Sequence, residues 1–321
     1  MVKEKKLNLI GQALLLGATI VWGTSFFILK ETIEQVPTFY VIAIRFMLAA
    51  AGLSLIFIKK LKTIKKSTFI RGAILGVLLS LAYFTQTIGL ENTTPGQNAF
   101  LTSSYCVMCP FLVWILFKKR PKFYNVFSAV LCIIGIGFIA LSNSGGSGEN
   151  VLLGNGLTLV SAVFFGLQII FIDKFSKDGH DNIQLLIPEI LTAGVIMTVY
   201  TLAVELPIYG ISEFALNGEQ IWKIAYLTAV CTLFAQTAQI IGQRYTSTNQ
   251  SSIILSLESV FGTLFSVLFA GEKLTVLIIV GFVIVFIAML ITELKLDPMK
   301  LFLRKRNKNF DTKEQKIKEE N

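Results

Sequence analysis

Of the ionisable residues inside long apolar runs, three stand out: Arg45, Glu189 and Glu258. A charge near the centre of a membrane helix costs at least about 2.5 kcal/mol on insertion scales, so each needs a partner or a water-filled cavity. Arg45 is suited either to meeting a substrate carboxylate or a gate, or to tethering two helices. Glu258 is suited to exchanging a proton or sensing a cation; its alternative is a carboxylate bonded permanently to neighbouring helices. Glu189 directly follows Pro188. In the first turns of its helix an acid favours the N-terminus, which is a structural role.

Uncharged polar residues form a second set: Tyr83, Gln86, Asn98, Tyr105, Gln168, Gln236, Gln239 and Gln243. Gln236, Gln239 and Gln243 recur at i, i+3 and i+7 and so share one helix face, which must meet protein or water and not lipid. Tyr83 and Gln86 form an equivalent face on an earlier helix. Two such stripes facing a common interior would line a polar cavity able to hydrogen-bond a small zwitterion or neutral solute. Hydrogen bonding between helices, with no ligand, is the alternative, worth about 0.6 kcal/mol per bond. Cys106 and Cys109 have C-x-x-C spacing, but the chain's single histidine is His180, so no metal quartet is expected and no cofactor. With Cys132 and Cys231 they read as small buried hydrophobes.

The elements that position these residues follow from composition. The 321 residues are 54% hydrophobic and 15% charged, with a mean hydropathy of +0.68, which excludes a water-soluble domain. An all-α membrane protein is expected. About 20 apolar residues cross the hydrocarbon core as a helix, and ten such runs are present: Leu9–Leu29, Thr38–Ile58, Phe69–Leu90, Asn98–Phe117, Tyr124–Ser142, Gly154–Phe175, Ile183–Val204, Gln220–Gly242, Gln250–Ala270 and Leu274–Thr292. The first is followed by further spans and lacks a small-residue cleavage site, so it reads as a retained helix. If the N-terminus lies inside, 25 of the 29 Lys and Arg residues fall on inside segments, and both termini are expected to be cytoplasmic. This asymmetry and the attraction of anionic headgroups account for the net charge of +9 without nucleic acid.

The chain also resembles itself. Trp22-Gly23 matches Phe165-Gly166 at an offset of 143, Gln86 and Gly89 match Gln239 and Gly242 at 153, and Phe138-Ile139-Ala140 matches Phe286-Ile287-Ala288 at 148. Two halves of five spans are expected, 9–142 and 154–292, followed by a basic cytoplasmic tail, 293–321. An odd number of spans makes the second half enter from the opposite side, giving an inverted repeat that can rock about a midplane site.

Trp22-Gly23-Thr24-Ser25-Phe26, Arg45-Phe46, Gly89-Leu90, Asn98-Ala99-Phe100 with Pro110, and Gly271-Glu272 occur in an order that resembles the EamA-type transporters of the drug/metabolite transporter superfamily, from about Gly11 to Thr292. The resemblance implies a ten-helix inverted-repeat carrier whose cavity is formed mainly by the first, third, fourth, sixth, eighth and ninth helices. It places Trp22, Tyr83, Gln86, Asn98, Tyr105, Gln168, Gln236, Gln239 and Glu258 near that cavity. In the ninth helix the family's Glu-Pro is replaced by Glu258-Ser259, which removes an expected helix break.

The function expected is secondary transport of a small metabolite across a bacterial cytoplasmic membrane by alternating access, as an exporter of an amino acid or similar polar solute. A flippase for a lipid-linked substrate is the main alternative. A membrane-embedded enzyme is disfavoured, because no G-x-S-x-G or H-E-x-x-H is present. The partners expected are a small-molecule substrate and the lipid bilayer; a homodimer is left open.

Overall fold

The computed structural model describes residues 2–141, 151–246 and 254–296. The tail from residue 297 onward, Ser142, and the start of the ninth apolar run at 250–253, including Ser251, lie outside the described residues. Regular structure among the described residues is entirely helical. We number the principal helices α1 (Val2–Ile33), α2 (Thr38–Ile56), α3 (Lys66–Asn92), α4 (Pro95–Phe117), α5 (Phe123–Leu141), α6 (Val151–Lys177), α7 (Asn182–Tyr209), α8 (Gly218–Tyr245), α9 (Ile254–Phe269) and α10 (Val276–Glu293). Among the described residues, α1–α4 and α6–α8 are the seven helices long and apolar enough to cross a membrane, and α5, α9 and α10 are shorter apolar helices. Their outer surface carries Leu55, Ile133, Leu152 and Val276, each at least 70% exposed, a covering suited to lipid and not to water.

Helix starts are set by side chains that accept from otherwise unpaired backbone N–H groups. Thr94 accepts from Gln97 N ahead of Pro95 at the start of α4, Asp181 accepts from Ile183 and Gln184 N at α7, and Asn217 forms a reciprocal capping box with Gln220 at α8. Glu189 therefore does not cap α7; Asp181 does, and Glu189 is buried two turns further on.

Several helices depart from regular α geometry where none was expected. The seventh run does not end at Val204: it continues as a π-helix over Thr201–Glu205 and then helix to Tyr209. A second π segment, Leu227–Phe234, occupies the middle of α8. In α4, Ser104 N bonds to Leu101 O, and in α9, Leu257 N bonds to Ile254 O. The turn at Leu257, immediately before Glu258, is thus made without the missing proline, by a tight i to i+3 bond.

The packing has a regular plan. The main contacts are α3 with α6, α1 with α8, α2 with α7, α4 with α9 and α5 with α10, followed by α3 with α7, α1 with α9 and α4 with α6. Exchanging α1–α5 for α6–α10 maps most of these pairs onto themselves or onto one another. Glycines allow two related crossings. A Cβ on Gly242 would stand 2.9 Å from Gly11 O, and one on Gly89 would stand 2.9 Å from Gly154 O. Gly11 and Gly154 are 143 residues apart and Gly89 and Gly242 are 153 apart, the two offsets read in the sequence. The close approach of backbones there excludes any larger side chain.

Candidate substrate cavity

A cavity of about 870 Å³ opens on the face that carries Lys60, Lys119, Lys174, Lys177 and Arg244. Its walls come from α4, α6 and α8 together with the α6–α7 connection, and Tyr105 and Leu255 are among the lining residues. Of the residues the sequence nominates, Tyr105, Gln239 and Gln243 line it. Cys106 and Cys109 line it too, so the pair sits at a water-accessible wall, with Cys106 itself buried.

The remaining candidates lie deeper. On a helix, positions three apart share a face, so Gln236 lies one turn beyond Gln239, while Glu258 and Thr102 are reached from Leu255 and Tyr105 across the tight turns at Leu257 and Ser104. Gln86 donates to Thr102 Oγ1 at 3.0 Å. Asn98, fully buried, donates to Gln86 O at 3.1 Å and Thr158 Oγ1 at 2.8 Å, while its Oδ1 has no partner among the described residues. Gln168 donates to the Glu189 carboxylate. These amides are therefore engaged in interhelical bonds and are occluded from the cavity.

Arg45 is 1% exposed. Its Nε donates to Thr232 Oγ1 at 2.5 Å and its Nη2 to Tyr83 OH at 3.4 Å, and its guanidinium lies over the Tyr83 and Phe46 rings. Among the described residues no carboxylate pairs with it. Tyr83 in turn packs edge-on against Phe165 of α6. Trp22 donates to Cys231 O at 2.9 Å. Both Thr232 and Cys231 belong to the π segment of α8, whose altered register presents groups that a regular helix would direct elsewhere. Glu258 has no hydrogen-bond or ion-pair partner among the described residues, and it lies within electrostatic reach of Tyr83.

On the face opposite the cavity mouth, where a smaller pocket of about 430 Å³ lies beside Lys30, Glu34 and Glu91, acids that sequence reasoning did not place in the site tie helix ends together. Pro37 provides no side-chain cap for α2, and the Glu205 carboxylate accepts instead from Phe39 N at 2.7 Å and Tyr40 N at 2.8 Å. Glu272 accepts from Thr94 Oγ1 at 2.6 Å, from Gly96 N at 3.0 Å and from Ser266 Oγ. Lys223 bridges α8 to Glu31 of α1 at 3.0 Å. Gly271-Glu272 was visible as a motif, but its helix-capping role has no signal in the sequence.

The sequence pattern of the EamA-like transporter family matches residues 9–141 and 152–294. The chain belongs to that family. An uncharacterized transporter of Archaeoglobus fulgidus is 29% identical over 276 residues, covering 86% of this chain and 83% of its own length. The uncharacterized transporter YoaV of Bacillus subtilis is 20% identical, covering 83% of this chain and 91% of its own. A crystal structure sharing 13% identity superposes with a TM-score of 0.59 over 91% of this chain and 98% of that one, which shows a common fold. This EamA-like chain is therefore a membrane transporter built of several apolar helices.

Proposed function

We propose that this transporter is an alternating-access secondary carrier of ten spans, with inverted halves 9–142 and 154–292 and both termini cytoplasmic, that exports an amino acid or similar small polar metabolite across a bacterial cytoplasmic membrane. The observation that carries the reading is the asymmetry of the two faces: a pocket of about 430 Å³ lies on the opposite one, and the cavity of about 870 Å³ is the larger. It opens on the basic face, which the charge rule assigns to the cytoplasm, while Glu205, Glu272 and Lys223 hold the other face together. That is the geometry of an inward-facing carrier. Tyr105, Gln239 and Gln243 supply hydrogen-bonding groups at its wall. Trp22, Tyr83, Gln86, Asn98, Gln168, Gln236, Arg45 and Glu189 would form the deeper part of the route, opened as the halves rock. Glu258, with no partner among the described residues, is the group we assign to coupling. A Glu258→Gln carrier that keeps the pH dependence of uptake removes that assignment.

The test is counterflow by purified protein in liposomes preloaded in turn with amino acids, purines, sugars and cationic dyes. Saturable exchange of one class, reduced in Gln239→Ala, supports the carrier; exchange of none of them sinks the reading.

A further inference from the structure

The charges around the cavity do not balance. Five cations line it, Lys60, Lys119, Lys174, Lys177 and Arg244, against three acids, Asp173, Asp178 and Asp181. Every acid is already neutralised. Asp181 pairs with Lys60 at 2.6 Å, Asp173 with Lys177 at 2.5 Å, and Asp178 with Arg71 at 3.3 Å. His180 shares a hydrogen bond with Thr68 at 2.7 Å. Lys119, Lys174 and Arg244 are left with no carboxylate among the described residues; Lys174 lies over the Phe117 ring at 5.3 Å, which leaves its charge in place.

We infer that the cavity takes an anionic solute, one that carries a net negative charge on a carboxylate or comparable group, and that Lys119, Lys174 and Arg244 set this preference. The inference rests on the reading of the cavity as the substrate route and narrows its substrate class. Membrane topology accounts for cations on this face, but it does not require that each acid beside the cavity be paired and three cations be left over. A concave, water-filled mouth between low-dielectric walls concentrates that surplus and raises the local concentration of anions by about tenfold or more at low salt.

Cys109 at the cavity wall provides a readout independent of any substrate. In purified full-length protein carrying Cys106→Ala, Cys132→Ala and Cys231→Ala, held in an uncharged detergent so that no lipid headgroup contributes, the reaction rates of Cys109 with anionic and cationic methanethiosulfonates are compared, each divided by its rate with a free thiol. The normalised ratio should favour the anion by about tenfold at low salt, shrink as salt screens the field, and fall close to one in Lys119→Gln/Lys174→Gln/Arg244→Gln. Should the cysteine variant fail to fold, the difference between wild type and Cys109→Ala supplies the same ratio. Counterflow with aspartate, alanine and lysine then asks whether the solute obeys the field, with aspartate expected to have the lowest KM and to lose that advantage in the triple variant. A ratio at or below one, or exchange that ignores charge or favours lysine, overturns the inference while leaving the carrier intact. If none of the three amino acids is exchanged, the Cys109 ratio decides it. Failure of the carrier reading shows separately, as no exchange of any solute class.

Discussion

Arg45 of α2 and Thr232 of α8 are joined by a 2.5 Å hydrogen bond from Nε to Oγ1, across the interface between the two halves of the chain. Thr232 also donates to Leu227 O at 2.9 Å, five residues back along the π turn, so the hydroxyl is held at the point where the guanidinium meets it. Thr232→Val leaves a buried cation with one fewer acceptor. A hydrogen bond to a charged group is worth about 1.5–3 kcal/mol. The detergent-solubilised variant should unfold at a lower temperature, and Thr232→Ser should restore most of the loss.

Gly89 crosses Gly154 with no room for a side chain, since an added Cβ would lie 2.4 Å from Thr158 Oγ1 as well as 2.9 Å from Gly154 O. Gly89→Ala should cost about 1–3 kcal/mol through forced separation of α3 and α6. Gly242→Ala, at the related crossing, should cost a similar amount. Thermal unfolding of both variants measures this; a negligible loss in either would show that the crossing relaxes freely.

Glu272 ties the segment between α9 and α10 to the start of α4, and Ser266 is fully buried beneath it. Removing the carboxylate in Glu272→Ala forfeits hydrogen bonds worth about 1.5 kcal/mol or more, which corresponds to roughly tenfold in an opening equilibrium. Ser266→Cys should therefore react with an impermeant maleimide about ten times faster in the Glu272→Ala background, and only from the face opposite the cavity mouth.

The Asp181 carboxyl is pushed up by partial burial, but the bonds from Lys60 and from Gln184 and Ile183 N outweigh that and hold it below the ordinary aspartate range. A carboxyl whose folded value is depressed binds fewer protons than the unfolded chain, so it stabilises the fold at pH above the ordinary range. That contribution is lost as the pH falls through and below the range. Asp181→Asn should lower the thermal midpoint at neutral pH and make little difference near pH 3, with solvent exposure at the pair keeping the effect small.

Much of the architecture was legible from the chain alone. Apolar runs of membrane length give helices because a backbone in lipid must satisfy its own hydrogen bonds, and the 143 and 153 offsets reappear as paired glycine crossings between α1 and α8 and between α6 and α3. The nomination of Gln239 for the cavity follows from helical periodicity, which sorts residues by face, and that of Tyr105 from the family resemblance. Periodicity does not tell how deep on that face the water reaches.

Depth and pairing belong to the tertiary structure. Gln86 and Asn98 carry the same polar groups as Gln239, yet they are consumed in bonds to Thr102, Thr158 and backbone, because α3, α4 and α6 meet there. Glu205 and Glu272 read in sequence as acids near helix ends, and become closures of one face only when α2 and α4 bring unpaired N–H groups to them. The sequence determined that the molecule lies in lipid, which family it joins and which faces of its helices are polar, since composition and spacing are local properties. Which polar residues line water, which cations stay unpaired and which helix ends are tied together were decided by the packing, because each depends on how separate helices meet and not on spacing along one of them.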